Sequence, residues 1–228
     1  MQGEELSKVL AVEKLDTLVF DIQDVGCRFY TYIWTLWDVM IALPGTAIPR
    51  LVVLDRPNPI GAEEAAVQGP VLEPAFSSFI GRYAIPLRHA MTVGELASLF
   101  FSAQQQQQQK QKQQKQKEKE KEEEEEEEGP WRLAHTYNVC VVKMKNYERS
   151  MWFADTHVPW VPPSPNMPTV NTATVYPGIG ILEGTNLSEG RGTTTPFNLF
   201  GAGFFNYTFV DLLRKATACP SSSRKRLP

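Results

Sequence analysis

The sequence predicts an α/β fold with a parallel sheet, because its first part shows a strand–helix–strand pattern. Two short apolar runs, LDTLVFDI at 15–22 and LVVLD at 51–55, are typical of buried strands. Between them, Phe29, Ile33 and Leu36 recur at the spacing of one helix face. Two strands joined by such a crossover are parallel, so their carboxyl ends lie at the same edge of the sheet.

Polar side chains follow both predicted strands. The motif DIQDVG continues the first strand, and DRPNPIG continues the second. In open α/β sheets the ligand crevice lies outside the carboxyl ends of the strands. We therefore expect one common site to include Asp21, Asp24, Asp55, Arg56 and Asn58. The alternatives are that Asp24 caps the following helix and that Asp55 and Arg56 form an ion pair within a turn.

Three further elements and one rigid loop are predicted along the chain. Thr92 and Glu95 in TVGEL form a capping box that opens a helix. The run YNVCVVKM at 137–144 predicts a strand, and FFNYTFVDLLRKA at 204–216 predicts a helix. Between these two, five prolines at 159–168 predict an extended, rigid loop.

A low-complexity tract at 104–128 separates two parts of the chain. Its 25 residues are ten glutamines, six lysines and nine glutamates, and its charge of −3 equals the formal net charge of the whole protein. It has no apolar side chain to bury, so it predicts a solvated helix or disorder, not a coiled coil. We therefore predict an N-terminal domain at 1–103 and a C-terminal domain at 129–228, which ends in a disordered basic tail.

Composition and short motifs exclude several classes of function. The formal net charge of −3 gives no reason to expect a nucleic-acid partner. No apolar run reaches the roughly 18 residues of a membrane span, and the N-terminus lacks a signal-peptide pattern, so a cytoplasmic protein is expected. The histidines His89, His135 and His157 lack metal-ligand spacing, and no C-x-x-C motif occurs. We predict structural histidines, no metal and no cofactor.

A carboxylate in the segment GPVLEPAF is a candidate general acid. Glu73 stands between an apolar run and a proline, and we expect it to lie partly out of water. Partial burial favours the neutral form of a carboxyl group, which a general acid needs. The alternative is a glutamate in a solvent-exposed loop.

A polar, glycine-rich segment, EGTNLSEGRGTTTPFN at 183–198, is the second candidate. Its glycines match neither the Walker nor the dinucleotide-binding pattern. Glu183, Asn186, Glu189 and Arg191 suit a ligand that carries hydroxyl groups or a carboxylate. Six aromatic residues are candidates for a sugar-stacking platform, although the first four are more typical of a core: Tyr30, Tyr32, Trp34, Trp37, Trp152 and Trp160.

Five long motifs, taken together, closely resemble one family. In order they are VFDIQDVGCRFYTYIWTL, VVLDRPNPIG, GPVLEPAFSSFIGRYAIPLRHAMTVGELA, VPWVPPSPNMPT and YPGIGILEGTNLSEGRGTTTPF. They resemble the exo-β-N-acetylmuramidases of peptidoglycan recycling (the NamZ type), over most of 15–202 outside the tract. The resemblance implies a Rossmann-like domain whose first strands are missing from this chain, and a smaller α+β C-terminal domain, with the site in the cleft between them.

The resemblance also implies a reaction and a set of residues. Family members release terminal N-acetylmuramic acid from the non-reducing end of peptidoglycan fragments, so muropeptides or amino sugars are the expected partners. Glycoside hydrolysis usually needs two carboxyl groups, and the candidates are Asp21, Glu73 and Glu183, with Glu73 and Glu183 favoured. The expected substrate-binding residues are Asp24, Arg28, Tyr30, Asp55, Arg56, Asn58, Arg82, Asn166, Asn186, Glu189 and Arg191.

The chain also departs from the family pattern. A Pro-Glu-His-Gly motif usually precedes the first strand seen here, and this chain begins after it. The family usually has Glu, Gly, Arg and Glu near the positions of Gln68, Ala90, Thr195 and Asn198. The alternative to an enzyme is therefore a catalytically impaired relative that binds muropeptides, or a fragment of a longer gene.

Overall fold

A computed structural model describes residues 3–12, 14–119 and 137–217. Its helices are α1 (Gly3–Val12), α2 (Tyr32–Ala42), α3 (Val93–Lys119), α4 (Val170–Ile179) and α5 (Tyr207–Thr217). Its strands are β1 (Leu18–Phe20), β2 (Arg50–Leu54), β3 (Gln68–Val71), β4 (Pro86–Arg88) and β5 (Asn138–Val142). His135, residues 120–128 of the low-complexity tract and the basic tail lie outside the described residues.

The central sheet is parallel, which confirms the predicted α/β class. Its three strands lie in the order β1-β2-β5, and β2 pairs with both neighbours in parallel. In register, Leu18 lies beside Leu51, and Val53 beside Val141. The third strand comes from beyond the low-complexity tract, so the sheet combines residues from both sides of it. The predicted domain boundaries stay a prediction.

One face of the sheet carries the main hydrophobic core. Leu51 and Val53 of β2 are fully buried there, in the same cluster as Trp34 of α2 and Phe100 of α3. The Trp34 and Phe100 rings stack with centroids 5.7 Å apart. Each such side chain contributes roughly 1.5–3 kcal/mol by leaving water, so this layer dominates the stability of the sheet.

The opposite face of the sheet is open to solvent. Val19 of β1, Cys140 of β5 and Val142 of β5 are all exposed on it. Parallel sheets in α/β proteins are ordinarily covered on both faces. The exposed face is therefore the least protected apolar surface of the central sheet.

Helix α3 begins with the predicted capping box. The Thr92 N–H donates to Glu95 Oε2 at 2.9 Å, and the Glu95 N–H donates to Thr92 Oγ1 at 3.2 Å. The helix continues into the low-complexity tract as far as Lys119, so the first part of that tract is helical. Buried Gln104 accepts a hydrogen bond from the Tyr137 hydroxyl just before β5, which fixes the start of the tract to the domain.

A second hydrophobic cluster connects the C-terminal part to the strand-end loops. Cys27 and Tyr30, which follow β1, are buried with Tyr176 of α4 and with Phe197. The Tyr176 ring meets the Phe197 ring edge-to-face at 4.7 Å and the Tyr30 ring at 5.8 Å. The predicted helix at 204–216 is confirmed as α5, which has no buried residue. Within the described part of the chain, no helix is long and apolar enough to cross a membrane.

Ala90 is expected to store backbone strain that a glycine would release. Its φ of 53° lies in the left-handed region, where a non-glycine residue costs about 1 kcal/mol or more. Replacing Ala90→Gly should raise the free energy of unfolding by about 1 kcal/mol, measured by urea denaturation. The matched control is Ala103→Gly inside α3, which should lower it by about the same amount. A lower stability for Ala90→Gly would show that this φ carries no strain.

The Cys27 thiol is expected to be chemically inert while the protein is folded. Burial raises the pKa of Cys27 far above its ordinary value, so the thiol stays neutral and unreactive at pH 8. In a Cys140→Ser, Cys219→Ser background, a thiol reagent should label Cys27 only after urea is added. The Cys27→Ser, Cys219→Ser variant serves as the control, because exposed Cys140 should react in the native state. Rapid native labelling of Cys27 would contradict its burial.

Candidate functional site

A cleft with a volume of about 540 Å³ lies at the carboxyl ends of β1 and β2. This is the size of a small-molecule site. One wall comes from the loops that follow the two strands: Asp21, Ile22, Gln23, Arg56 and Pro57. The other wall is the proline-rich segment at 158–163, and Tyr32 and Phe153 complete the lining.

The proline-rich wall is held in place by hydrogen bonds and by its own prolines. Proline fixes the φ angle, so this segment has little freedom to move. The Tyr32 hydroxyl donates to the Pro163 carbonyl at 2.7 Å, and the Trp160 indole N–H donates to the Met167 carbonyl at 3.1 Å. Phe153 packs edge-to-face on Trp160 at 4.9 Å. The cleft therefore has a rigid aromatic wall.

The strand-end wall carries an ion pair. Arg56 donates from Nε to one carboxylate oxygen of Asp21 at 2.6 Å, and its Nη2 forms an ion pair with the same oxygen at 2.6 Å. The Arg56 and Asp21 side chains are 37% and 45% exposed, so a ligand can reach both groups. Asp21 and Arg56 are thus the two charged residues among the predicted site residues that the structure places in the cleft.

Asp24 and Asn58 do not face the cleft, contrary to the prediction from sequence. Both are almost fully buried, with 4% and 3% of their surfaces exposed. Asp24 Oδ2 accepts the Gly26 N–H at 2.7 Å and lies 3.3 Å from Nε2 of buried His89. Asn58 donates to the Met91 carbonyl at 3.0 Å and accepts the Ile60 N–H at 3.2 Å. Their polar groups hold loops together.

Asp55 caps a helix and faces a second, smaller cleft. Its carboxylate accepts hydrogen bonds from the Gly94 N–H at 2.7 Å and from the Thr92 hydroxyl at 3.0 Å. The adjoining cleft has a volume of about 290 Å³ and lies between α3 and the loop after β5, where Lys143 and Arg149 line it. Asp55 and Arg56 therefore line different clefts at the carboxyl end of β2. They do not form the ion pair within a turn that was considered from sequence.

Three other predicted binding residues are engaged in packing and line neither cleft. Arg28 donates from Nη1 to the Pro70 and Ile85 carbonyls at 2.8 and 2.7 Å, and burial lowers its pKa. Arg82 pairs with Asp38 of α2 at 3.0 Å. The Tyr30 ring lies in the second hydrophobic cluster, and burial raises its pKa.

Glu73 is exposed, so the partial burial predicted for it is wrong. It precedes a short 3-10 helix in the connection between β3 and β4, where its neighbours Phe76 and Phe79 are also mostly exposed. The alternative considered from sequence, a glutamate in a solvent-exposed loop, is the one that the structure contains. Whether Glu73 takes part in catalysis stays a prediction.

The glycine-rich segment at 183–198 is organised by Arg191. Its guanidinium donates to Glu183 at 2.6 Å, pairs with Glu189 at 3.0 Å and lies over the Phe197 ring at 4.9 Å. Burial lowers the pKa of Arg191, but the hydrogen bond and charge of Glu183 outweigh it, and the net shift is upward. Two further predicted residues lie outside both clefts, the exposed Asn186 and the half-buried Asn166.

Sequence reasoning identified the polar half of the cleft but not its proline-rich half. The segment at 158–163 was predicted as a rigid loop, and Trp160 was its one residue considered for the site. Trp160 and Tyr32 do line the cleft, whereas Trp34 is core, as helical spacing suggested. The described residues contain no group of three or more histidine, cysteine, aspartate or glutamate side chains that could hold a metal ion.

Comparisons with known proteins point to one family. The model for the N-terminal part of the exo-β-N-acetylmuramidase NamZ matches residues 3–171, and the model for its C-terminal part matches residues 174–222. The peptidoglycan β-N-acetylmuramidase NamZ of Bacillus subtilis is 48% identical over 200 residues, which are 88% of this chain. The chain spans 41% of the length of that relative.

Two crystal structures of DUF1343 family proteins from Bacteroides fragilis share the fold. One has a TM-score of 0.67 at 32% identity and the other a TM-score of 0.64 at 34% identity. Each match covers 90% of this chain and a little under half of the solved chain, 46% and 48% respectively. This similarity confirms the Rossmann-like class predicted for the sheet.

Removing the Tyr32 hydroxyl is expected to loosen the proline-rich wall. A Tyr32→Phe variant loses its hydrogen bond to Pro163, which contributes about 1 kcal/mol. Amide hydrogen exchange should then quicken in residues 158–163 while the sheet stays protected. Tyr83→Phe is the control, because no hydrogen bond of its hydroxyl is found among the described residues. Unchanged exchange at 158–163 would show that the prolines alone hold this wall.

Proposed function

Since this chain belongs to the exo-β-N-acetylmuramidase NamZ family, we propose that it is a glycoside hydrolase. Its reaction is release of terminal N-acetylmuramic acid from the non-reducing end of peptidoglycan fragments. The observation that carries this proposal is the 48% identity to a peptidoglycan β-N-acetylmuramidase across 88% of the chain. Muropeptides or amino sugars derived from peptidoglycan are the corresponding substrates.

The chemistry of the larger cleft supports a sugar acid as ligand. The rings of Tyr32 and Trp160 line it, and aromatic rings stack on the apolar faces of sugars. Asp21 can accept hydrogen bonds from hydroxyl groups, and Arg56 can bind a carboxylate through paired N–H groups. N-acetylmuramic acid combines these features, since it carries hydroxyl groups, an N-acetyl group and a lactyl carboxylate on one ring.

For the two carboxyl groups of the reaction, we favour Asp21 and Glu183 over Glu73. Asp21 lines the cleft, and Glu183 is held by Arg191 in a segment that packs against the strand-end loops through Tyr176. An ion pair with arginine requires the ionised form of Glu183, which is the form of a base or nucleophile. Glu73 remains a weaker candidate because it is exposed and has no charged partner among the described residues.

A binding protein without hydrolytic activity is the second candidate function. Its support is that Asp21 is the one carboxylate in the described lining of the larger cleft, whereas glycoside hydrolysis usually uses two. Such a protein would hold a muropeptide by the same ion pair and aromatic wall.

Hydrolysis of a chromogenic β-N-acetylmuramide separates the two candidate functions. We expect the purified chain to release the chromophore and Glu183→Gln to be slower by roughly 100-fold or more, because a catalytic carboxylate is lost. Glu64→Gln, an exposed glutamate outside both clefts, is the matched control and should keep normal turnover.

The outcomes of this assay are distinct. Near-normal turnover of Glu183→Gln would remove Glu183 from the catalytic residues without affecting the proposed reaction. No release by the unmodified chain, together with calorimetrically measured binding of a muropeptide, would favour the binding protein. If the chain neither releases the chromophore nor binds the muropeptide, both candidate functions are contradicted.

A further inference from the structure

We propose that Arg56 is the residue that distinguishes muramic acid from glucosamine at this site, by binding the lactyl carboxylate. The inference rests on the proposed function and adds a residue that sets substrate specificity. N-acetylmuramic acid differs from N-acetylglucosamine by the lactyl ether with its carboxylate. Selection between the two sugars therefore needs a positive group at a fixed position in the cleft.

Among the described residues, no partner of Arg56 Nη1 is found, so one edge of the guanidinium group is available. A guanidinium has five N–H donors in a rigid, planar arrangement. Nε donates to one oxygen of Asp21 at 2.6 Å, and Nη2 lies 2.6 Å from the same oxygen in the ion pair. The remaining donors lie at the end formed by Nη1 and Nη2, a fork that matches the two oxygens of a carboxylate. Asp21 thus orients Arg56 without blocking this fork.

The net charge around Arg56 opposes an incoming carboxylate less than the net charge around Arg191 does. Arg56 and Asp21 together are neutral, and both side chains are partly exposed in the cleft. Arg191, the arginine that sequence reasoning favoured for a carboxylate, is paired with both Glu183 and Glu189, so its cluster has a formal charge of −1. A second carboxylate brought to Arg191 would be repelled by the two already present.

Other arginines near the strand ends are directed away from the cleft. Arg28 is bound to two backbone carbonyls, Arg88 to the Ile60 carbonyl, and Arg149 to Glu95 and the Ala90 carbonyl. Within the described lining of the larger cleft, Arg56 is the one arginine. The aromatic wall holds Trp160 rigidly in the same cleft. A sugar ring bound at that wall therefore has Arg56 as its cationic neighbour.

The ratio of activities on two chromogenic sugars tests this proposal. The unmodified chain and the variants Arg56→Gln and Arg56→Lys are assayed with a β-N-acetylmuramide and a β-N-acetylglucosaminide. Arg56→Gln should lower kcat/KM for the muramide by about 10- to 100-fold, mainly through KM, because charge-assisted hydrogen bonds are lost. Activity on the glucosaminide should fall less, because this sugar has no lactyl carboxylate to lose a partner, so the ratio of the two activities should drop. Arg56→Lys should be intermediate, because lysine keeps the charge but lacks the planar fork.

Arg214→Gln, an exposed arginine on α5, is the matched control and should keep the ratio of the unmodified chain. A folded Arg56→Gln variant with the same ratio as the unmodified chain would overturn the inference. If Arg56→Gln does not fold, the same ratio in folded Arg56→Lys would overturn it as well, and an intermediate ratio would support it.

Inactivity of the unmodified chain on both sugars would contradict the proposed function without deciding the role of Arg56. The role of Arg56 is then decided by calorimetry, which measures how tightly N-acetylmuramic acid and N-acetylglucosamine bind to the unmodified chain and to the same variants. A preference for the muramic sugar that disappears in Arg56→Gln would support the inference. The same preference in both proteins, or no preference in the unmodified chain, would overturn it.

Discussion

The arrangement of the site depends on a junction of three loops at the carboxyl edge of the sheet, at residues 24–26, 58–60 and 89–91. Buried Asp24 and His89 join the first loop to the third, and buried Asn58 joins the second to the third through the Met91 carbonyl. A Cβ on Gly26 would lie 2.3 Å from Asn58 Oδ1, so the first two loops touch where only glycine fits. Loss of the Asn58 side chain would leave the buried Ile60 N–H unsatisfied, at a cost of about 1–3 kcal/mol.

This three-loop junction places the functional groups without taking part in ligand binding itself. Gln23 joins the two strand-end loops, since its side-chain amide donates to the Asp24 carbonyl at 2.7 Å and to the Pro57 carbonyl at 2.9 Å. Asp21 and Arg56 lie next to these anchored positions, and each orients the other. The ion pair therefore lies on two anchored loops. The aromatic wall faces it across the cleft, and that wall is rigid because its prolines fix the backbone.

The sequence indicated which residues line the cleft where their position follows from a strand end, and it failed where the position follows from neighbours distant in sequence. Asp21 and Arg56 follow β1 and β2 and do line the cleft. Asp24 and Asn58 have the same kind of position, yet they are buried because their partners, His89 and Met91, come from a third loop. Glu73 was expected to be partly buried, and the structure leaves its segment exposed.

The sequence by itself determined the parallel sheet, the capping box of α3, the proline-rich loop and the family, because each rests on local periodicity or on a run of consecutive residues. Only the tertiary structure decided which polar side chains reach a ligand. In the fold, Asp55 accepts a hydrogen bond at the N-terminus of α3, and Arg191 is paired with two glutamates. Among the described residues, Arg56 keeps one edge of its guanidinium group unpaired in the cleft. The physical reason is that a polar group's role depends on which donors and acceptors surround it, and chain folding brings those together from distant positions.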